Sequence, residues 1–179
     1  AKKVAEYHKV GLEVCKCSSI KIPFGDQEFD IVYAANVLHH VNLEATLREV
    51  SRVLNKGGIF ACWDPLAHNV AINIYRRKAM KVRTEDEHPI KWNQLEAFRK
   101  NFSEVEVKTT WLTTLWIFVK FYFIDRVDPN KERYWKKILL EANRLEKIYY
   151  RLEKIDDFIL KYLPFVRRYC WNMVVVARK

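Results

Sequence analysis

The chain has 179 residues, a formal net charge of +10 and a hydrophobic content of 50%, which excludes both a stapled mini-protein and a chain too polar to order itself. The excess of 32 Lys and Arg over 22 Asp and Glu favours anionic partners, yet the basic residues are spread among acids. No RNA-binding signature, zinc finger or arginine-rich run accompanies them, so nucleic acid is not expected.

Four glycines, Gly11, Gly25, Gly57 and Gly58, lack the spacing of a phosphate-cradling or dinucleotide-binding loop. Cys15, Cys17, Cys62 and Cys170 include one C-x-C pair, but no second pair or histidine spacing completes a metal site. With nothing resembling a signal peptide, the expectation is four buried, reduced thiols in a cytoplasmic protein.

In chain order, Lys2 to Lys9 reads as the later turns of a helix that Gly11 closes, and Leu12 to Cys17 alternates as a short strand. Phe29 to Ala35 is a nearly continuous apolar run, as in a central strand buried on both faces. Asn42 caps a helix to about Leu54, with Leu43, Leu47, Val50 and Leu54 on one face. Asn55-Lys56-Gly57-Gly58 then turns the chain into the strand Ile59 to Trp63, which implies a parallel pair.

Helices follow at about Val70 to Val82 and Lys91 to Asn101, then strands at Val105 to Thr109 and Asn172 to Ala177. Between those two strands, Trp111 to Ile124 is apolar on nearly every face. Asp128-Pro129 offers an N-cap and first-turn proline for one long helix, with a stripe at Ile138, Ala142, Leu145, Ile148, Leu152, Ile155, Ile159 and Tyr162.

Several short motifs occur in a telling order. They are Ile22-Pro23-Phe24 ahead of Phe29-Asp30-Ile31-Val32-Tyr33, then Val37-Leu38-His39-His40-Val41, Leu47-Arg48-Glu49-Val50-Ser51-Arg52-Val53-Leu54 and Lys56-Gly57-Gly58. Each is weak alone; the ordered set, over about Glu13 to Trp63, resembles the class I S-adenosylmethionine-dependent methyltransferases of the type 11 kind.

The resemblance implies an α/β fold: a partial Rossmann-like sheet, mainly parallel with an antiparallel C-terminal strand, over 1–110 and 169–179, and a helical cap inserted at 111–168. It also implies that a strand with a glycine-rich turn, and a second strand ending in a ribose-binding acid, precede Ala1. Roughly 60 or more residues of a usual domain would then lie upstream, and this fragment would be inactive alone.

By the same resemblance the cofactor is S-adenosyl-L-methionine. Ser18, Ser19 and Ile20 stand where adenine is bound, with Ser18 in place of the usual aspartate. Ala35 and Asn36 end the strand that approaches the methionine part, and Leu38 lines the adenine side. His39 and His40 lie beside the donor, where one of them could face the substrate.

His40, His68 and His88 are the candidate catalytic bases, since imidazole titrates near neutral pH. Arg76, Arg77, Arg83 and Glu85-Asp86-Glu87 are either a solvated ion-pair network or a loop that closes over an acidic substrate.

The expected reaction is methyl transfer to a small, apolar or lipid-like acceptor, with Trp111, Trp116, Phe118, Phe121, Tyr122 and Phe123 of the cap walling its pocket. The competing reading is a non-catalytic module whose cap binds a partner protein or a membrane surface. The 14-residue run Trp111 to Ile124 is too short to span a bilayer, which needs about 20 residues, but it could lie at a lipid interface.

Overall fold

In the computed structural model, which describes residues 2–79, 81 and 87–179, four strands form one sheet: β1 (Phe29–Ala35), β2 (Leu54–Pro65), β3 (Glu104–Thr110) and β4 (Asn172–Arg178), in the order β1-β2-β4-β3. β1 pairs parallel with β2, and β4 runs antiparallel to both β2 and β3. Three strands therefore share one direction and the C-terminal strand opposes them, giving the α/β class that the sequence implies.

Helix α1 (Lys2–Tyr7) is exposed throughout, whereas α2 (Leu43–Val53) packs beneath the sheet. Asn42 caps α2 by accepting the Ala45 N–H, and Leu43, Leu47, Val50 and Leu54 are all buried as their spacing predicts. Gly57 turns the chain at φ +76°, and a Cβ on Gly58 would come within 2.9 Å of the Asn55 carbonyl, so both glycines serve this joint.

After β2 come α3 (Val70–Lys78), capped by Asn69, and a 3₁₀ turn at Trp92–Gln94 that leads into α4 (Leu95–Asn101). Of the predicted helix at 70–82, Val82 lies outside the described residues. Phe60, Cys62, Met173, Val175 and Ala177 point to the α2 and α4 side and form one core with Leu47, Leu95 and Phe98.

Two expectations about the first strands are corrected. β1 is an edge strand, not a central one buried on both faces: Ile31 and Tyr33 are 66% and 69% exposed. Leu12 to Cys17 is exposed and irregular, with only a single bridge between Ser18 and Lys21 just beyond it. Alternation marks a face but supplies no hydrogen-bonding neighbour, and β1 gives its ladder to β2 alone.

Arg52 ties the segment before β1 to α2. It donates to the carbonyls of Ile22 and Phe24 and to the carboxylates of Asp26 and Glu49. Hydrogen bonds from Arg52 and from the Ile22 N–H hold Glu49 down from 4.5 to about 2. A carboxylate depressed in this way stabilises the fold above its unfolded value, and that contribution is lost as pH falls from 4.5 through 2. Acid titrations of unfolding should therefore show a smaller loss across that window in Glu49→Gln than in the wild type.

The thiols divide in pairs, which corrects the expectation of four buried ones: Cys15 and Cys17 are exposed, Cys62 and Cys170 buried. Burial pushes Cys62 up to about 12 and Cys170 up to about 11, so both stay protonated and unreactive at neutral pH. A thiol-reagent titration should count two reactive sulfurs in the native protein and four after denaturation.

The segment between β3 and β4 folds as α5 (Trp116–Phe123), α6 (Tyr134–Leu140) and α7 (Ala142–Tyr162), followed by a 3₁₀ turn at Pro164–Tyr169. The single long helix expected from Asp128-Pro129 is corrected: Asp128 instead accepts the Asn130 N–H in a local turn, and Glu141 separates α6 from α7. Ile117, Phe118 and Phe121 of α5 are buried against Ile72 of α3, Tyr134 of α6 and Leu145 of α7, which makes a second core.

Asp156 clips this cap together. Buried on α7, its carboxylate accepts the N–H groups of Leu112, Thr113 and Thr114 and both threonine hydroxyls. Among the described residues no helix is long and apolar enough to cross a membrane.

Candidate functional site

Where β1 and β2 end, the chain opens onto a cavity of about 580 Å3 between the sheet and the cap. Asn36 and Trp63 line it from the strand ends, Trp111 and Trp171 from beside the cap, and Trp135 and Leu139 from α6. The C-terminal ends of parallel strands are where α/β sheets bind ligands, because the loops there diverge. The wall is dominated by aromatic and aliphatic carbon, which suits a bulky apolar group.

Local chemistry explains each placement. Asn36 takes a left-handed φ of +54°, which asparagine tolerates better than most residues, and its N–H donates to the Trp63 carbonyl at 2.8 Å. This turn carries the chain from β1 into the 3₁₀ turn Leu38–His40. Trp111 is also left-handed, at φ +68°, and its carbonyl accepts the Trp171 N–H at 3.0 Å, so the residue leaving β3 is fixed beside the one entering β4. Trp111 and Trp171 meet edge to face, with ring centroids 5.3 Å apart.

The polar centre of the cavity is a histidine held by a buried acid. The Nδ1–H of His39 donates to Asp64 Oδ1 at 2.6 Å, and the same oxygen accepts the His39 backbone N–H at 3.1 Å. Asp64 is fully buried, and its Oδ2 has no protein partner among the described residues. With Nδ1 committed, Nε2 is the nitrogen left to take a proton. His40 lies against it, with ring centroids 4.1 Å apart, and both histidines line the cavity.

The other predicted bases are placed differently. His68 Nε2 accepts the Trp92 N–H at 3.1 Å, which occupies that lone pair in holding the turn before α4, and His68 is not among the lining residues. The His88 side chain is exposed and outside the cavity lining, while its backbone N–H donates to the His39 carbonyl at 2.7 Å. Of the three candidates, His40 alone reaches the cavity, and His39 joins it there.

The donor residues are gathered only in part. Asn36 lines the cavity and Ala35 precedes it at the end of β1. Leu38, by contrast, is buried in the core with Leu43 and Leu47, so it faces packing and not the cavity. Ser18 and Ile20 are exposed, and Ser19 shares a 3.0 Å hydroxyl hydrogen bond with Thr46 of α2.

In the charged cluster, Arg76 donates to the Leu66 carbonyl and Asn73 and lines the cavity with Glu87 and Arg133. Arg77 is exposed, and Arg83, Glu85 and Asp86 lie outside the described residues. Of the predicted wall, Trp111 alone lines the cavity. Phe118 and Phe121 fill the cap's own core, Trp116 and Phe123 are exposed, and Tyr122 sits in a shallow pocket beneath Lys78. Among the described residues no group of three or more His, Cys, Asp or Glu could hold a metal ion.

Asp64, which holds His39, and Trp135, which lines the cavity, are among the residues that the sequence does not single out. Asp64 had a signal, since alternation from Phe60 and Cys62 puts an acid on the buried face of an apolar strand, where it needs a partner.

This architecture is similar to that of solved S-adenosylmethionine-dependent methyltransferases. Residues 1–62 match the family model described as a methyltransferase domain. No curated protein matches the sequence.

Among solved structures, a SAM-dependent methyltransferase from Thermotoga maritima is 16% identical, with a TM-score of 0.56 over 99% of this chain and 68% of its own. The cyclase SpnF is 16% identical, with a TM-score of 0.53 over 99% of this chain and 60% of its own. The YcgJ protein of Bacillus subtilis is 16% identical, with a TM-score of 0.52 over 99% of this chain and 76% of its own. The chain thus spans about three-fifths to three-quarters of the length of these relatives in fold.

Proposed function

We propose that the intact protein transfers a methyl group from S-adenosylmethionine to a small acceptor with a bulky apolar or lipid-like body. The observation that carries this reading is the aromatic cavity at the ends of β1 and β2, with His39, held by the buried Asp64, on its wall. The residues present fit the donor in part: the left-handed turn at Asn36 and the small Ala35 leave the end of β1 open to a ligand. S-adenosylmethionine supplies a methyl group on a sulfonium, so the protein's task is alignment and exclusion of water.

Ala35 and Asn36 would hold the donor's methionine part. Ser18, Ser19 and Ile20 would reach adenine only if their segment closed toward the cavity. Asp64 holds the His39 ring with Nε2 free to accept the acceptor's proton, and His40 packs beside it. The 179 residues alone are expected to be inactive, because their four glycines form no glycine-rich turn.

One fold relative is named a cyclase, so the test must read the product. Intact protein, isotopically labelled donor and a panel of apolar acceptors should yield a methylated acceptor, and turnover without label transfer would overturn the reading. Trp135, a half-exposed wall residue, gives a site-directed check: Trp135→Ala should raise the acceptor KM about tenfold while donor binding is unchanged.

A further inference from the structure

We infer that the outer face of α7 is a docking surface for an anionic membrane. Of the apolar run Trp111 to Ile124, Ile117, Phe118 and Phe121 are buried inside the cap, while Trp116, Phe123 and Ile124 are exposed. A face that joins exposed apolar side chains to cations runs the length of α7.

At about 100° per residue, Leu145, Leu152, Asp156 and Ile159 turn toward the protein. Arg144, Ile148, Arg151, Ile155, Phe158 and Tyr162, spaced four, three, four, three and four, form an exposed line along one flank. Ile155 and Phe158 are 47% and 65% exposed. Lys147, Lys154 and Lys161 flank this line on one side, all exposed. The surface acids of the helix, Glu146, Glu153 and Asp157, fall together on the far flank.

A face that is both cationic and apolar selects its partner. Nucleic acid needs the lysines but leaves Ile148 and Ile155 in water, and an apolar protein groove would strip water from five cations. An anionic lipid surface satisfies both sets: isoleucine, phenylalanine and tyrosine enter the headgroup boundary, and the lysine and arginine stems reach back to the phosphates.

The cations already lean on rings here. Lys154 Nζ lies 4.4 Å above Tyr150, and Lys161 Nζ lies 5.4 Å from the Tyr162 centroid. The turn that follows α7 adds exposed Phe165, Arg167 and Arg168. A helix of 21 residues, about 32 Å long, would lie along the surface and not across it. The inference is independent of the methyl-transfer reading, because its readout is binding.

The test is flotation of the protein with phosphatidylcholine vesicles containing about 30% phosphatidylglycerol, at roughly 50 mM salt. Co-flotation is expected, at least tenfold weaker with phosphatidylcholine alone. The triple variant Lys147→Glu, Lys154→Glu, Lys161→Glu should lose more than tenfold, and Ile155→Ser with Phe158→Ser about tenfold, in each case with the wild-type circular dichroism spectrum. Because these positions are exposed, both variants are expected to fold.

Glu146→Gln with Glu153→Gln, on the far flank, should bind at least as well as the wild type. Absence of flotation with anionic vesicles, or undiminished flotation of the triple variant, would overturn the inference. Undiminished flotation of the Ile155, Phe158 variant together with release by duplex DNA would also overturn it, assigning the face to nucleic acid.

Discussion

Replacing Asp156 by alanine is expected to lower the stability of the protein by about 3–5 kcal/mol, because five donors lose their acceptor at one buried point. Three of them are consecutive backbone N–H groups at Leu112, Thr113 and Thr114, just where the chain leaves β3 for the cap. These groups lie against α7, so the deletion would leave them dry and unpaired. In a domain of this size the change corresponds to a fall in Tm of roughly 6–20 °C.

Asp156→Asn should destabilise less but still measurably. It keeps the volume and one acceptor oxygen, while its amide hydrogens face donors. Because the clip joins the cap to the exit of β3, the loss should appear first as faster amide exchange over residues 112–118, ahead of the sheet.

Asp64→Asn is expected to act on chemistry more than on stability. The substitution retains shape, but an amide no longer holds the His39 Nδ1–H as a carboxylate does, and the ring can then turn or change tautomer. We expect a cost of about 1–3 kcal/mol in stability and a fall in methyl-transfer kcat of roughly 100-fold, with acceptor KM little changed. A purely structural role would not touch the proton itself. The downfield proton NMR resonance expected for the 2.6 Å His39–Asp64 hydrogen bond should be present in the wild type and absent in Asp64→Asn, whereas His68→Gln should leave it in place.

How much of this could be read from the residues depends on whether a feature is local or relational. The α2 stripe of Leu43, Leu47, Val50 and Leu54, the alternation in β3 and the β-branched run of β4 are local, and the structure keeps them. Leu12 to Cys17 carries the same local alternation and forms no strand, because pairing is decided by a neighbour elsewhere in the chain. The long stripe in 138–162 failed for a related reason: Leu145, Tyr149, Leu152 and Asp156 set the rotation of α7 against α5, leaving Ile148 and Ile155 outside.

In the candidate site, the histidine pair was legible, but which member met Asp64 depended on the phase of a three-residue 3₁₀ turn, which no periodicity encodes. The acids that organise the molecule were legible only as anomalies. Asp64 breaks an apolar strand on its buried face, and Asp156 stands between Leu152 and Ile159 on the inward face of α7. An acid at a core position needs donors around it: Asp156 has five, and Asp64 has the backbone N–H and the ring of His39 on one of its oxygens.

In the proposed reading, S-adenosylmethionine meets the protein at the end of β1. Isothermal titration of S-adenosylmethionine into the intact gene product tests it most directly. One saturable site per chain is expected, weakened about tenfold or more by Asn36→Trp, which would fill the turn beside the cavity. No binding to the intact protein, or undiminished binding to the Asn36→Trp variant, would contradict it.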